Sequence, residues 1–480
     1  MKFSTKHTIL FLSTCALMQG AYASGYHFGT QSVTAQGTAN SSAAEADDAS
    51  TLFYNPAGLT KLEGNQISAA INLVKPDVKY ENASATYTGG GNVPGSTSGK
   101  IAKDLKIAPH LYGAYHLNDQ VTVGVGMYIP FGSGTDYEQD SVSRYNLNKT
   151  ELTTFAVEPA VAFKINDQHS VAVGAIAQHA DVKLRKYADW GSRLGASGQA
   201  DGAGNVKLDD WGFGYHLAWM WDVNDRARVG VNYRSKVEHN LKGDAEWSAV
   251  GPVAQRFRPA IQATVAQGGS GYVPQEDASL DIVTPESLSV HGMYRATPKL
   301  NLFGDVTWTR HSRFNEAHLK FANPKRTLSG ALSNETVIYP NWRNTYKVGL
   351  GASYQYNEPL QLRGGIAFDQ SPVRSADERL VTLPDANRLW FSLGAKYDFN
   401  RQHSIDGLQP YPHQQRQHPH PRWHHLCRQQ CAKSCQLQEF SQYSRLTIQL
   451  PLLMLHQECL SETRKLVFRQ AFYCLENRPV

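Results

Sequence analysis

The chain reads as an all-β protein, a transmembrane antiparallel β-barrel built around its own N-terminal segment. Three observations predict this. Side chains alternate with period two over about twelve long segments. Short turns and long loops alternate between those segments. An export signal precedes a body without cysteine from Ser24 to Arg401. An exported chain either pairs its cysteines or avoids them, because free thiols oxidise in that compartment.

The N-terminus comes first. Lys2 and Lys6 precede an apolar stretch from Thr8 to Leu17, and Ala21-Tyr22-Ala23 offers a cleavage site before Ser24. This predicts a signal peptide over 1–23. The apolar stretch is too short for a membrane helix, and Thr14 is a poor neighbour for lipid attachment at Cys15. After it, Ala43 to Thr60 is small and polar and turns at Asn55-Pro56. Proline fixes its own φ and drives the preceding residue out of the helical region, so this is a rigid kink. Such a segment needs a container, and the remaining chain supplies the wall.

Trp211-Gly-Phe213-Gly-Tyr215-His-Leu217-Ala-Trp219-Met-Trp221 is the plainest wall segment, with rings or Leu at every odd position. Alternate side chains of a strand face opposite sides. The segment from Val229 to Glu238 follows with charge on its second face. Comparable alternation covers Gln66–Tyr80, Leu105–Leu117, Val121–Phe131, Thr153–Ile165, Ser170–Tyr187, Ser279–Arg295, Leu300–Phe314, Trp342–Tyr356, Leu360–Phe368 and Arg388–Phe399. These runs exceed the ~5–6 residues of soluble strands, and rings gather towards their ends as in interfacial girdles. Which face looks outward is open at this stage. Asn118-Asp119, Asn166-Asp167, Asn224-Asp225 and Thr297-Pro298 suit tight turns. Tyr87–Lys100, Gly191–Lys207 and Gly243–Asp277 are the long loops.

A net charge of +5 with no basic block excludes a nucleic-acid partner. Mean hydropathy is −0.43. No apolar run after the signal approaches the ~20 residues of a membrane helix. A barrel strand averages to a polar score, so this does not argue against a membrane. The alternation fails near Arg401, and all but one of the 39 glycines lie before it. The tail, 407–480, is expected to be foreign to the fold, as a reading-frame shift would make it. The coding DNA after codon 405 tests this, and absence of a strand pattern in the other frames would refute it.

Most chemical motifs have plain readings. Gly95-Ser-Thr-Ser-Gly99-Lys100 lacks phosphate-loop spacing. Asp47-Asp48 reads as a turn rather than a cation site. His179, His216 and His239 could serve a barrel lipid hydrolase, but no nucleophile elbow or paired base accompanies them. The tail's His and Cys spacings fit no common zinc scaffold. No metal and no cofactor is expected, and no enzyme. Two stretches read more sharply. Pro130, Phe131 and Gly132 interrupt a good strand, since proline removes a ladder donor and glycine marks a bulge. Their bland alternative is a strand running out into a loop. Lys183, Arg185 and Lys186 gather cations near a strand end, solvated or facing an anionic head group.

The chain resembles the FadL/OmpP1/TodX family of outer-membrane channels for long-chain fatty acids and other hydrophobic compounds. The matching pieces are Ala46-Asp47-Asp48-Ala49 with Asn55-Pro56-Ala57, Ile107-Ala108-Pro109, Trp211-Gly-Phe-Gly, Tyr233-Arg234-Ser235, Gly365 to Val373, and Pro384-Asp385 with Arg388 and Trp390. The resemblance implies fourteen strands, with a hatch over 24–64 inside a barrel over 65–406. It implies passive uptake through a lumenal pocket and lateral release at a kinked third strand. It places that kink at Pro130, Phe131 and Gly132, and puts Asn55, Pro56 and Ala57 against it. Lys186, with Arg185 beside it, is the implied contact for a ligand carboxylate, and Lys325 or Arg326 lies near a second basic position. The family's last two strands are not readable here. The expected setting is the outer membrane of a Gram-negative bacterium. The expected partners are long-chain fatty acids or other hydrophobic small molecules, outer-membrane lipid and lipopolysaccharide, with the protein a monomer. A lipid-acting enzyme and a structural barrel or adhesin are the alternatives.

Overall fold

The computed structural model describes residues 25–76, 78–87, 90–102, 104–327, 330–375, 378–400, 402–414, 434–437 and 446–451. The signal expected over 1–23 and most of the tail, with its His and Cys cluster, lie outside them.

Fourteen antiparallel strands form the wall among the described residues. They are β1 (Gln66–Lys75), β2 (Lys106–His116), β3 (Val121–Tyr128 and Gly132–Asp136), β4 (Leu147–Lys164), β5 (His169–Asp189), β6 (Asp201–Asn224) and β7 (Ala227–Arg234 and Val237–Val250). Then come β8 (Gln275–Thr284 and Ser287–Thr297), β9 (Leu300–Thr309 and Ala317–Arg326), β10 (Leu332–Ile338 and Thr345–Asn357), β11 (Leu360–Asp369), β12 (Arg388–Asn400), β13 (His403–Gln414) and β14 (Leu446–Pro451). Each pairs with the next. β14 lies beside β13 and runs antiparallel to β1, with Ala70 opposite Pro451 and Lys75 opposite Leu446.

The wall, expected over 65–406, reaches further in the structure. β13 runs on to Gln414 across Pro410 and Pro412, opposite β12. Six residues of the tail then supply the closing strand. Lipid offers no partner to a free strand edge, so a short alternating segment such as Leu446-Thr-Ile-Gln-Leu is drawn to it. The other strands reach further than the alternation marked. β6 takes in part of the loop assigned to Gly191–Lys207, and β7 continues to Val250. The loop after it carries the helix α1 (Gly251–Gln262), begun by Pro252. Proline belongs at a helix start, where its missing N–H costs nothing.

The structure settles which face looks out. Trp211, Phe213, Tyr215 and Leu217 of β6 are exposed, as are Val290 and Tyr294 of β8 and Leu350 and Tyr354 of β10. The opposite face buries Glu158, His216, Asn232, Arg234, Asp305 and Arg363. A soluble sheet shows the reverse. Apolar side chains outward and polar ones inward are the arrangement lipid requires.

Inside lies the hatch, residues 25–65, with two short helical turns over Val33–Gly37 and Thr51–Tyr54 and a 3₁₀ turn over Pro56–Lys61. Small residues let it approach the wall. A Cβ on Gly124 of β3 would come within 2.8 Å of Leu52, and one on Gly365 of β11 within 2.2 Å of the Thr38 backbone. Gly365→Val should therefore unseat the hatch while leaving the barrel folded. Single-channel conductance checks this, and a conductance equal to that of the parent would refute it.

Candidate functional site

The third strand is broken, and the break opens the wall. β2 and β3 pair only from His116 opposite Thr122 to Leu111 opposite Met127. Beyond Tyr128 the chain leaves the ladder through Ile129, Pro130 and Phe131. It resumes against β4, with Gly132 opposite Thr153 and Asp136 opposite Lys149. Lys106 to His110 of β2 stay paired with β1 but have no register partner in β3. The gap is a consequence of sequence, because Pro130 has no N–H to continue the ladder.

The first residues of the hatch occupy this gap. Phe28 N donates to Pro130 O (2.8 Å), and Gly132 N donates to Tyr26 O (2.8 Å), so His27 faces Phe131 as in an antiparallel pair. Gln31 Nε2 donates to the Ile129 carbonyl (2.7 Å) and to the Phe28 carbonyl (2.5 Å). Tyr26 meets the Phe131 ring at 5.5 Å and stacks on Trp342 at 5.4 Å. Gly25 N is held by Asp385 Oδ2 at 3.0 Å. Beside this arm a cavity of about 560 Å³ passes along the gap. Ile107, Ile129, Leu152 and Trp390 give it apolar walls, and Gly132 and Arg185 also line it.

The expected site residues separate. Pro130, Phe131 and Gly132 lie at the break. Asn55, Pro56 and Ala57 head the 3₁₀ turn that packs on the unbroken half of β3. Asn55 is fully buried and faces β6 to β8. Its Nδ2 donates to Trp219 O (3.1 Å) and Val231 O (3.4 Å) and meets His291 Nε2 at 2.9 Å. Its Oδ1 accepts from Ala57 N at 3.0 Å, which caps the 3₁₀ turn begun by Pro56. A short polar side chain in that corner satisfies the backbone that the Pro56 kink frees. Leu52 and Leu59 approach Gly124 in the first half of β3, and the Phe53 ring meets Tyr128 at 5.0 Å.

Arg185 and Lys186 part for a simpler reason. Neighbours on a strand face opposite ways. Arg185 reaches the cavity, where it donates to Asp136 (2.6 Å), Asn148 Oδ1 (2.6 Å) and Tyr137 O (3.0 Å). Lys186 turns to the other side, opposite Leu147 and Gly204. Lys325 is buried in the outer lumen. Its Nζ lies 2.6 Å from Glu276 and 4.3 Å from the Phe321 ring centroid.

Sequence reasoning missed the polar groups that seat the hatch. Arg363 of β11 and Lys396 of β12 both reach Asp47 Oδ2 at 2.9 Å, and Arg363 also reaches Asp406 at 2.6 Å. Burial alone would raise the Asp47 carboxyl, but Lys396 and Arg363 outweigh it and hold it at about 2. A depressed carboxyl stabilises most above its unfolded value, and that contribution is lost as pH falls from about 4 towards 2. Asp48 does act as a turn residue, accepting from Ser50 N at 2.7 Å. On the other side Lys61 and Arg228 both bind Asp222, and Arg228 donates to Ala44 O and Glu45 O at 3.1 Å. Under the break Glu158 accepts from His216 Nδ1 (2.5 Å), Arg234 Nη1 (2.9 Å) and the Tyr128 hydroxyl, while Arg234 Nη2 donates to Phe53 O (3.1 Å). His216 is thus committed to Glu158 and Asn232, not to a serine.

The family model for outer membrane protein transport proteins (OMPP1/FadL/TodX) matches residues 14–418. An outer membrane protein of Neisseria meningitidis serogroup B is 57% identical over 425 residues, covering 85% of this chain and 90% of that one. The long-chain fatty acid transport protein of Escherichia coli K12 is 27% identical over 437 residues, covering 85% and 91%. Among solved structures, a Pseudomonas aeruginosa FadL homologue superposes with a TM-score of 0.75 at 19% identity, covering 91% of this chain and all of that one. The Pseudomonas putida toluene transporter TodX gives 0.60 at 15%, with 91% and 100% covered. With a hatched barrel of fourteen strands and a family match over most of its length, the chain belongs to the OMPP1/FadL/TodX family of outer-membrane transport proteins for hydrophobic compounds.

Proposed function

We propose that this protein takes up long-chain fatty acids or similar hydrophobic molecules passively and releases them sideways, through the break in β3, into the outer membrane. The observation that carries this reading is the cavity beside the unpaired stretch of β2, stopped by an arm that only hydrogen bonds and ring contacts hold. A hydrophobic guest crosses the polar outer leaflet poorly. The apolar part of the cavity wall, Ile107, Ile129, Leu152 and Trp390, strips water from the guest's chain, worth ~0.8 kcal/mol per buried CH₂. An opening in the wall then returns it to a hydrophobic phase. No energy source enters this scheme.

Uptake of radiolabelled oleate by cells whose own fatty-acid channel is deleted tests it. Expression of the protein should restore uptake, and Gly132→Val should lower it several-fold without loss of the folded barrel. Cells that take up no more label with the protein than without it would sink the reading.

A further inference from the structure

We infer that the wall cavity admits hydrophobic guests in uncharged form, and that Asp136 and Glu151 set this preference. The inference rests on the lateral-release reading. Three cations line the cavity, Lys106, Lys149 and Arg185. Each already has an acid. Lys106 lies 2.5 Å from Glu151, Lys149 lies 3.4 Å from Asp136 and 3.5 Å from Glu151, and Arg185 lies 2.6 Å from Asp136. Asp104 and Glu138 line the same space, so among the described residues carboxylates outnumber cations there.

A guest carboxylate entering this cavity meets no surplus cation among the described residues. It must displace Asp136 or Glu151 from its partners or sit beside it, and two carboxylates sharing a site disfavour the second charge by one or more pK units. The buried Lys325 repeats the arrangement. Glu276 neutralises it and is itself held by Trp247 Nε1 (2.8 Å) and Asn323 N (2.9 Å). Lys106, Lys149, Arg185 and Lys325 are thus each filled by one of the chain's own acids. An uncharged guest avoids the conflict and still gains burial against Ile107, Ile129 and Leu152.

Oleate and methyl oleate share one hydrocarbon chain and differ in head charge. Titration of the purified full-length protein with each, radiolabelled, separates the two effects. The parent should bind the ester about tenfold more tightly than the anion, the equivalent of one pK unit. Asp136→Asn/Glu151→Gln should close most of that gap by tightening oleate alone. If the double variant does not fold, either single variant should give a smaller shift in the same direction. Equal affinity of the parent for both probes, or an unchanged ratio in the folded variants, overturns the inference and leaves the transport reading standing. Binding of neither probe overturns the transport reading beneath it.

Discussion

Replacing Glu158 by leucine is expected to destabilise the folded barrel by about 3–5 kcal/mol, the usual cost of leaving one partner of a buried ion pair alone. Glu158 has no exposed surface, and its carboxylate answers His216, Arg234 and Tyr128 together. Without it the Arg234 guanidinium keeps its charge in a dry site, with the Tyr128 hydroxyl, the Phe53 carbonyl and His216 Nδ1 as neutral partners. Glu158→Gln should lose nearly as much, since shape survives and charge does not. Adding Arg234→Met to Glu158→Leu should recover most of the loss, because an apolar pair of similar volume has no charge to strand. Urea unfolding in detergent micelles measures all three. A loss under 1 kcal/mol for Glu158→Leu would show that water reaches the cluster.

The second large effect concerns the arm. His27 and Phe131 form the kind of antiparallel pair whose flanking residues, not themselves, exchange hydrogen bonds: Phe28 with Pro130, and Gly132 with Tyr26. Cα atoms of such a pair lie ~4.5 Å apart. That is within the span a disulfide bridges. The body of the chain has no cysteine of its own. His27→Cys/Phe131→Cys should therefore oxidise readily and pin the arm in the gap. Oleate uptake should fall about tenfold or more and recover on reduction, with each single variant behaving as the parent. Full uptake by the oxidised protein would falsify release through this gap.

Much of the wall was legible because its physics is local. The run from Trp211 to Trp221 declares a strand wherever it sits. The break at Pro130 was legible for the same reason, since proline carries its defect in its own covalent structure. Breaks at Ser235-Lys236 in β7 and from Arg310 in β9 contain neither proline nor glycine, and nothing local marks them. The direction of the faces was not legible, because period two is symmetric until something says which side holds water. Arg185 and Lys186 show how much one residue of parity decides. Asn55 could not be placed from sequence, because its partners Trp219, Val231 and His291 come from three strands met only in the fold. The helix after Val250 was legible and went unread. Gly251-Pro252 followed by Val253, Ala254, Phe257 and Ile261 is a start signal with an apolar stripe.

The seating of the hatch also has a consequence for assembly. Asp47 finds Arg363 at a sequence separation of 316 and Lys396 at 349, and Thr34 finds Asp406 at 372. Part of the hatch's seating thus waits for strands at the far end of the chain. Until β11 and β12 arrive Asp47 has neither of its counter-ions, although Leu52 and Phe53 can already meet Gly124 and Tyr128 of β3. Contacts this distant are slow to form, since a long loop must close before any of them stabilises the chain. The hatch is therefore expected to lock into the lumen only when the last strands join the wall.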